Sequence, residues 1–348
     1  MKNTPNKDGI IAGAAMLIAS CGLAIAQDDQ GIDRPQQSET VVSGAGVVVL
    51  PEVIAGPFQR GNKAYYLLEP STWELSEQAA VEYFGAHLVA ISDLDENSFI
   101  RNSVLNFDGS NRNGWIGLTD RDSEGTFVWT NNEPVVFAFW LPGEPNGGAN
   151  ENYAGMVQGA PRWADLQNNW GDIVSPVYGV VELSIPSVLA GPFYYDGHTY
   201  YLLDHSNRHE ADAAARLLGG HLVTLDNEEE AGWVNTNIVR ANNIGHTWAG
   251  ISDEHFEGIY AWDNDSLSSY RNWNTDEPNG GALENYVVMN GAGGWFDAQY
   301  NWSPGGLVVN GIVEVATPNP CTADLNNDGQ LNFFDVSEFL GIFGDGCP

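Results

Sequence analysis

Cysteine is nearly absent. The chain has 3 among 348 residues, at positions 21, 321 and 347, so the 299 residues between the last two and the first cannot rely on disulfides, thiolate metal ligands or a sulfur nucleophile. Basic residues are also sparse: Lys and Arg total 13 against 46 Asp and Glu, a formal net charge of -33. Such a chain lacks the cationic footprint that nucleic acid requires. It suits an exported, well-solvated protein living with divalent cations. The 7 histidines include His87 and His221, read as structural, and no cluster of them has the spacing of a catalytic metal site. No Ser–His–Asp constellation stands out, so an enzyme is not expected. Beyond residue 26 no apolar run is long enough to cross a bilayer. What is plentiful is core material, 43% hydrophobic and 11% aromatic, which excludes wholesale disorder.

Residues 1–26 have the layout of an export signal. Lys2 and Lys7 supply the charged start, Ile10 to Ile25 is apolar, and Ala24-Ile25-Ala26 is a small-x-small cleavage site before Gln27. A rival stands beside it: Ile18-Ala19-Ser20-Cys21 resembles a bacterial lipobox, which would anchor the chain by a lipid on Cys21. Either cut predicts a secreted or surface protein, preceded by a flexible leader over 27–54. In that compartment Cys321 and Cys347 are the natural disulfide partners.

The body of the chain is written twice. Ala55-Gly56-Pro57-Phe58 returns as Ala190-Gly191-Pro192-Phe193, Tyr65-Tyr66-Leu67-Leu68 as Tyr200-Tyr201-Leu202-Leu203, and Trp115-Ile116-Gly117-Leu118 as Trp248-Ala249-Gly250-Ile251. The offset stays near ~133 residues, far beyond a solenoid period, so a globular domain of about 125 residues is duplicated. Each copy opens with a Tyr-Tyr-Leu-Leu strand. Helical spacing follows over Ser76 to Phe84 and Glu210 to Leu218, with Gly85 and Gly219 as stops. A second helix is expected near Asp95–Val104 and Glu228–Val239, then short strands and long Gly/Asn/Pro loops. Helices followed by strands predict an α+β fold. Domains are expected over 55–183 and 190–316, with Ser184–Leu189 as linker and a tail at 321–348.

The acidic residues are organised. Glu144-Pro145-Asn146 with Glu151 recurs as Glu277-Pro278-Asn279 with Glu284, and each copy then reads Trp-x-Asp: Trp163 and Asp165, Trp295 and Asp297. Three carboxylates and an amide oxygen, folded back by a glycine turn, are the hard oxygen ligands that calcium takes.

These motifs, with Gly-x-His-Leu-Val, Trp-Ile-Gly-Leu and Glu-Gly-x-Phe/Tyr-x-Trp before them, resemble the C-type lectin domain in both copies, over roughly Gly56–Leu183 and Gly191–Val315. The resemblance implies two helices, two small antiparallel sheets and a long calcium-holding loop in each domain. It implies Ca²⁺ ligands at Glu144, Asn146, Glu151 and Asp165, and at Glu277, Asn279, Glu284 and Asp297. Glu144, Asn146, Glu151, Glu277, Asn279 and Glu284 would also bind sugar hydroxyls, and Glu-Pro-Asn is the family's mannose-type signature. The proline of that signature is expected in the cis form.

Two departures stand out. The family's Asn before the Asp is Ala164 here, and Phe296 in the second copy. Gln167 and Asn169, with Gln299 and Asn301, would share the Asp's strand face and could supply the lost amide. The family's disulfide positions hold Val81, Tyr153, Asn168 and Val181, then Ala215, Tyr286, Tyr300 and Val313, so the outer pair should pack as apolar contact. Trp115, Trp129, Trp248 and Trp262 read as core rather than as sugar platforms.

The tail reads Asp324-x-Asn326-x-Asp328-Gly329-Gln330-x-Asn332-x-x-Asp335, oxygen ligands and a glycine at the places an EF-hand loop uses. With the apolar face of Phe334, Val336, Phe339, Leu340 and Phe343, it resembles one repeat of a dockerin, which carries two. That likeness implies a cohesin-like or other cell-surface docking partner. Taken together, the sequence predicts an exported, non-enzymatic, calcium-dependent binder of glycan or polysaccharide at a bacterial surface. The alternative is a protein-binding or structural module on the same fold.

Overall fold

The computed structural model describes residues 40–43, 46–170 and 175–316. The signal, Cys21, and the tail with Asp324, Asn326, Asp328, Gln330, Asn332, Asp335 and the Cys321–Cys347 pair lie outside the described residues.

The expected leader is not irregular to its end. β1 (Thr40–Ser43) and β2 (Gly46–Val49) pair antiparallel, and β3 (Val53–Arg60) already belongs to the first large sheet. The Val-Val steps of 41–49 suit a strand, and Leu50 is buried in the first core.

The first copy has β4 (Lys63–Pro70), α1 (Trp73–Phe84), β5 (His87–Leu88), α2 (Leu94–Phe99), β6 (Asn113–Thr119), β7 (Val128–Trp129), β8 (Tyr153–Met156), β9 (Trp163–Leu166) and β10 (Val177–Ser184). The second repeats it: β11 (Val188–Tyr195), β12 (His198–His205), α3 (Arg208–Leu217), β13 (His221–Leu222), α4 (Glu228–Val234), β14 (His246–Ser252), β15 (Ala261–Trp262), β16 (Tyr286–Asn290), β17 (Trp295–Ala298) and β18 (Asn310–Ala316). Both are α+β. The strand order is β3-β4-β10-β6-β8-β9 in one and β11-β12-β18-β14-β16-β17 in the other. Neighbours run antiparallel except at the parallel pairs β10·β6 and β14·β18, so each copy forms one continuous eight-stranded sheet where two small ones were expected.

Local chemistry explains the helices. Thr72 caps α1 by accepting from the Leu75 amide, and Gly85 ends it at φ 57. Asn207 and Glu210 form a capping box at α3. α2 and α4 each pass into a wider turn, Ile100–Leu105 and Asn235–Arg240, which completes the second helix read from sequence. The first helix of each copy begins two or three residues before its expected start, because Trp73 and Arg208 enter it as buried residues.

The core sits between sheet and helices, and Trp73, Trp115, Trp163, Trp248 and Trp295 are fully buried within it. Trp129 and Trp262 are buried against Trp163 and Trp295, edge to face at 5.8 Å in both copies. The tryptophans therefore act as packing. The expected linker shortens to 185–187, because β10 runs to Ser184 and β11 starts at Val188. Ala213 and Leu217 of α3 pack against the first copy's core, and Tyr300 lies over Gly85.

The positions of the absent disulfides are filled differently from expectation. Val81 points outward, 41% exposed, and its neighbour Ala80 packs in the cluster that holds Val181. In the second copy Ala215 and Val313 do share one cluster. The inner pair is joined through the helix start: Glu74 accepts from the Tyr153 hydroxyl and from Asn168 Nδ2, both at 2.9 Å. Its counterpart His209 lies against the rings of Tyr286 and Tyr300 at 5.3 and 4.9 Å.

Candidate metal centre

A long loop without strands runs from β7 to β8 and carries Glu144, Asn146 and Glu151. β9 brings Asp165 beneath it. The Glu144–Pro145 and Glu277–Pro278 bonds are cis. Asp165, 3% exposed, accepts the Asn146 amide through both oxygens at 3.0 Å and the Gly147 amide at 2.8 Å. Asp297 holds Asn279 at 3.0 Å and Gly280 at 2.7 Å in the same way. Asp is needed at this place because an ionised carboxylate can accept several amides at once.

The fourth member folds back over the turn. A Cβ on Gly147 would stand 2.1 Å from Glu151 Oε2, and one on Gly280 would stand 2.1 Å from Glu284 Oε2. Only glycine leaves room for these carboxylates. Asn146 Nδ2 donates to Glu144 Oε2 at 2.7 Å. In the first loop these contacts join Glu144, Asn146 and Asp165, with Glu151 folded over Gly147; in the second they join Asn279 and Asp297, with Glu284 folded over Gly280.

The electrostatics show what such crowding costs. Partial burial, then hydrogen bonding to Asp165 and the charges of Asp165 and Glu151, push the Glu144 carboxyl up to about 7. Glu277 is pushed up to about 7 by burial with Asp297 and Glu284. Burial, then the neighbouring aspartate, raises Glu151 and Glu284 as well. Like charges packed this closely resist ionisation. Glu277 Oε2 is buried without a hydrogen-bond partner. A hard cation would satisfy that oxygen and relieve the repulsion, so the donor set fits calcium.

The substitute amides do not reach the strand face. β9 ends at Leu166 and β17 at Ala298, and Gln167, Asn169, Gln299 and Asn301 lie exposed in the turns that follow. The Gln167 carbonyl accepts from the Trp170 amide, and that turn breaks the alternation. Ala164 packs in the core, and the Phe296 ring lies tilted against Trp302 at 4.8 Å.

Two acidic pairs went unnoticed in the sequence. Asp120 and Asp253 are buried, each accepting an amide five residues on (Gly125, Gly258) and each leaving Oδ1 without a partner. Glu124 and Glu257 approach the turn, their Oε1 at 4.0 and 3.9 Å from a Cβ built on Gly148 and Gly281. The signal was present: Asp-x-x-x-Glu-Gly occurs in both copies at the same offset.

Residues 69–171 match the family model of the lectin C-type domain. Over 247 residues, 65% of this chain, it is 28% identical to human C-type mannose receptor 2, and the match spans 16% of that protein. It is 32% identical over 104 residues to the mouse low affinity immunoglobulin epsilon Fc receptor, 30% of each chain. It is 38% identical over 112 residues to human C-type lectin domain family 17, member A, 32% of this chain and 27% of that one. The chain therefore spans less than a third of these relatives. Among solved structures, the cow C-type carbohydrate-recognition domain of CD23, crystallised in the presence of GlcNAc2Man3 oligosaccharide, is 31% identical, with 36% of this chain and 92% of that chain covered and a TM-score of 0.31. Lectin C-type domains are carbohydrate-recognition modules without enzymatic activity. Among the described residues no helix is long and apolar enough to cross a membrane.

Proposed function

We propose that this chain, whose residues 69–171 carry a lectin C-type domain, is an exported calcium-dependent carbohydrate-binding protein with two sites of one design. Glu144, Asn146, Glu151 and Asp165 would hold one ion, and Glu277, Asn279, Glu284 and Asp297 the other. The observation that carries this is the approach of three carboxylates in each copy: partial burial, then Asp165 and Glu151, raises Glu144 to about 7, and partial burial, then Asp297 and Glu284, raises Glu277 to about 7. Calcium takes roughly six to eight oxygens, and when bound here it would leave positions for two neighbouring sugar hydroxyls. The chain's own part is to aim polar groups: Glu144 and Glu151 oxygens would accept hydrogen bonds from sugar hydroxyls, and the Asn146 side-chain amide would donate to a hydroxyl oxygen. Glu-Pro-Asn in both copies favours the mannose-type arrangement of those hydroxyls. Two weak sites on one chain would add by avidity on a polymeric glycan.

Retention on mannan beads tests this. Calcium-dependent retention released by EDTA supports the reading. Failure to bind mannan, with calorimetric calcium binding intact, transfers the sites to another ligand. Absence of calcium binding by the full chain removes the proposal.

A second reading has its own observation. Ala164 and Phe296 pack inward where the family places a sugar-bonding amide, which favours a protein-binding or structural module on this fold. For the tail we propose a further calcium site on Asp324, Asn326, Asp328, Gln330, Asn332 and Asp335, closed by Cys321 and Cys347 and able to dock a cohesin-like partner.

A further inference from the structure

The two copies differ at one buried carboxylate pair far in sequence from the loops above. In the first, Glu96 of α2 faces Glu182 of β10, and the Lys63 ammonium bridges them at 3.1 and 2.7 Å. In the second, Glu230 of α4 and Glu314 of β18 repeat the pair, with Tyr200 donating to Glu230 at 2.7 Å as Tyr65 does to Glu96. The residue in the place of Lys63 is His198. Its Nδ1 lies 2.6 Å from Glu314 Oε1, and ligand atoms of His198, Glu230 and Glu314 all fall within 4.8 Å of one another.

The exchange alters the charge balance. Lys63 carries a permanent cation into the first pair. Imidazole does not, and the second pair is just as buried, Glu230 at 6% and Glu314 at 2% exposed. Burial, together with the charges of Glu230 and Asp226, pushes Glu314 up to about 8 although the Thr224 amide donates to it. Asp226 and His221 are the other titratable groups facing this carboxylate, His221 Nδ1 at 4.0 Å. A second change accompanies the first. Ala90 of copy one becomes Thr224, whose hydroxyl is buried with no partner, beside the amide that holds Glu314. A cation therefore sits between the glutamates in one copy, and in the other the same place offers one nitrogen and two carboxylates.

We propose that His198, Glu230 and Glu314 form a divalent transition-metal site of the zinc class, present in the second copy and replaced by an ammonium in the first. Imidazole nitrogen with carboxylate oxygen selects zinc over calcium, which asks for more oxygens than three side chains give. Three protein ligands leave a fourth position for water, and the His198 side chain, 37% exposed, opens the site to solvent. The ion would tie β12, α4 and β18 together, as Lys63 ties β4, α2 and β10.

The test uses the full chain without a histidine tag, stripped of metal and kept in excess Ca²⁺ so that oxygen sites are filled. Co²⁺ titration followed by visible absorption, with Zn²⁺ displacing it, reads the site directly. One equivalent with the intense bands of low-coordinate cobalt is expected. His198→Lys, which restores the first copy's salt bridge, should abolish the bands and lower Zn²⁺ affinity by more than the ~10–100-fold that loss of an outer-shell partner costs. Lys63→His should raise the stoichiometry by one. Should His198→Lys fail to fold by circular dichroism, His198→Gln serves in its place. Equal metal uptake by wild type and the His198 variants, or no cobalt bands in the wild type, overturns the proposal.

Discussion

Asp165 takes the Asn146 backbone amide through both of its oxygens, at 3.0 Å each, and so fixes where the Glu144 and Asn146 side chains stand. The acidic loop is thereby built on a buried support that accepts two successive backbone amides. Asp297 and Asn279 repeat the bond lengths, so the turn is held by the same means in both copies although the residues around it have diverged.

The raised carboxyls make calcium uptake a proton-releasing event. Glu144 and Glu277 sit near 7, above the ordinary carboxylate range, so near neutrality each loop keeps part of a proton that a cation must displace. Calorimetry at pH 7 in buffers of different ionisation enthalpy should show proton release on Ca²⁺ binding, and affinity should fall as pH drops from 8 to 6. For the metal-free fold the sign is opposite. A raised carboxyl pKa means the native state binds more protons than the unfolded one between about 4.5 and 7, so stability declines as pH rises through that window. Glu144→Gln should flatten that decline, and Ca²⁺ should reverse it.

Asp165→Asn should disable one copy alone. The asparagine puts an NH₂ where Oδ1 accepts the Asn146 amide, so donor faces donor and the turn loses part of its support, at a cost of ~1–3 kcal/mol. Calcium stoichiometry should fall by one while the second loop keeps its affinity. Urea denaturation gives the stability loss and calorimetry the stoichiometry. Loss of both sites at once would mean the two loops are not independent.

The duplication made most of this legible. Repeated motifs at one offset located both helices and the three carboxylates and one asparagine of each loop region, because glycine, proline and buried tryptophan mark turns and core locally. The misses are of another kind. Gln167 and Asn169 follow a strand that a turn ends at Leu166, a tertiary outcome that alternation alone does not reveal. His198, Glu230 and Glu314 come from three elements more than a hundred residues apart in total, and only a residue-by-residue comparison with Lys63, Glu96 and Glu182 would have joined them. Val81 was assigned inward by family position, whereas the helix turns Ala80 to the core.

His209 should make the fold sensitive to acid. Burial, reinforced by the Arg208 guanidinium, lowers its imidazole to about 3, and its Nε2 has no partner. Below pH ~6.5 the unfolded chain takes up a proton that the native ring refuses, so stability falls with pH until about 3, by at most ~1.4 kcal/mol per pH unit. His209→Phe keeps an aromatic ring against Tyr286 and Tyr300 and removes that proton. The difference in unfolding free energy between wild type and variant should therefore change by up to roughly 2 kcal/mol between pH 6.5 and 5, with the variant gaining. A difference independent of pH would place a charged imidazole in the native core.

The copies also predict how to stabilise one from the other. Trp163 Nε1 donates to Asn97 Oδ1 at 2.8 Å, and Asn97 Nδ2 donates to the Pro161 carbonyl at 2.7 Å. In the second copy Ala231 stands in the place of Asn97, and Trp295 Nε1 is buried with no partner. An unpaired buried N–H costs about as much as a lost hydrogen bond, so Ala231→Asn should raise stability by ~1 kcal/mol through a bond to the indole. Asn97→Ala should do the reverse in the first copy and cost more, ~2–3 kcal/mol, because it strands both the Trp163 donor and the Pro161 acceptor. Chemical denaturation of the two variants gives both signs. If Ala231→Asn destabilises, the space beside Trp295 is too small for the amide, and the second copy has closed around the alanine.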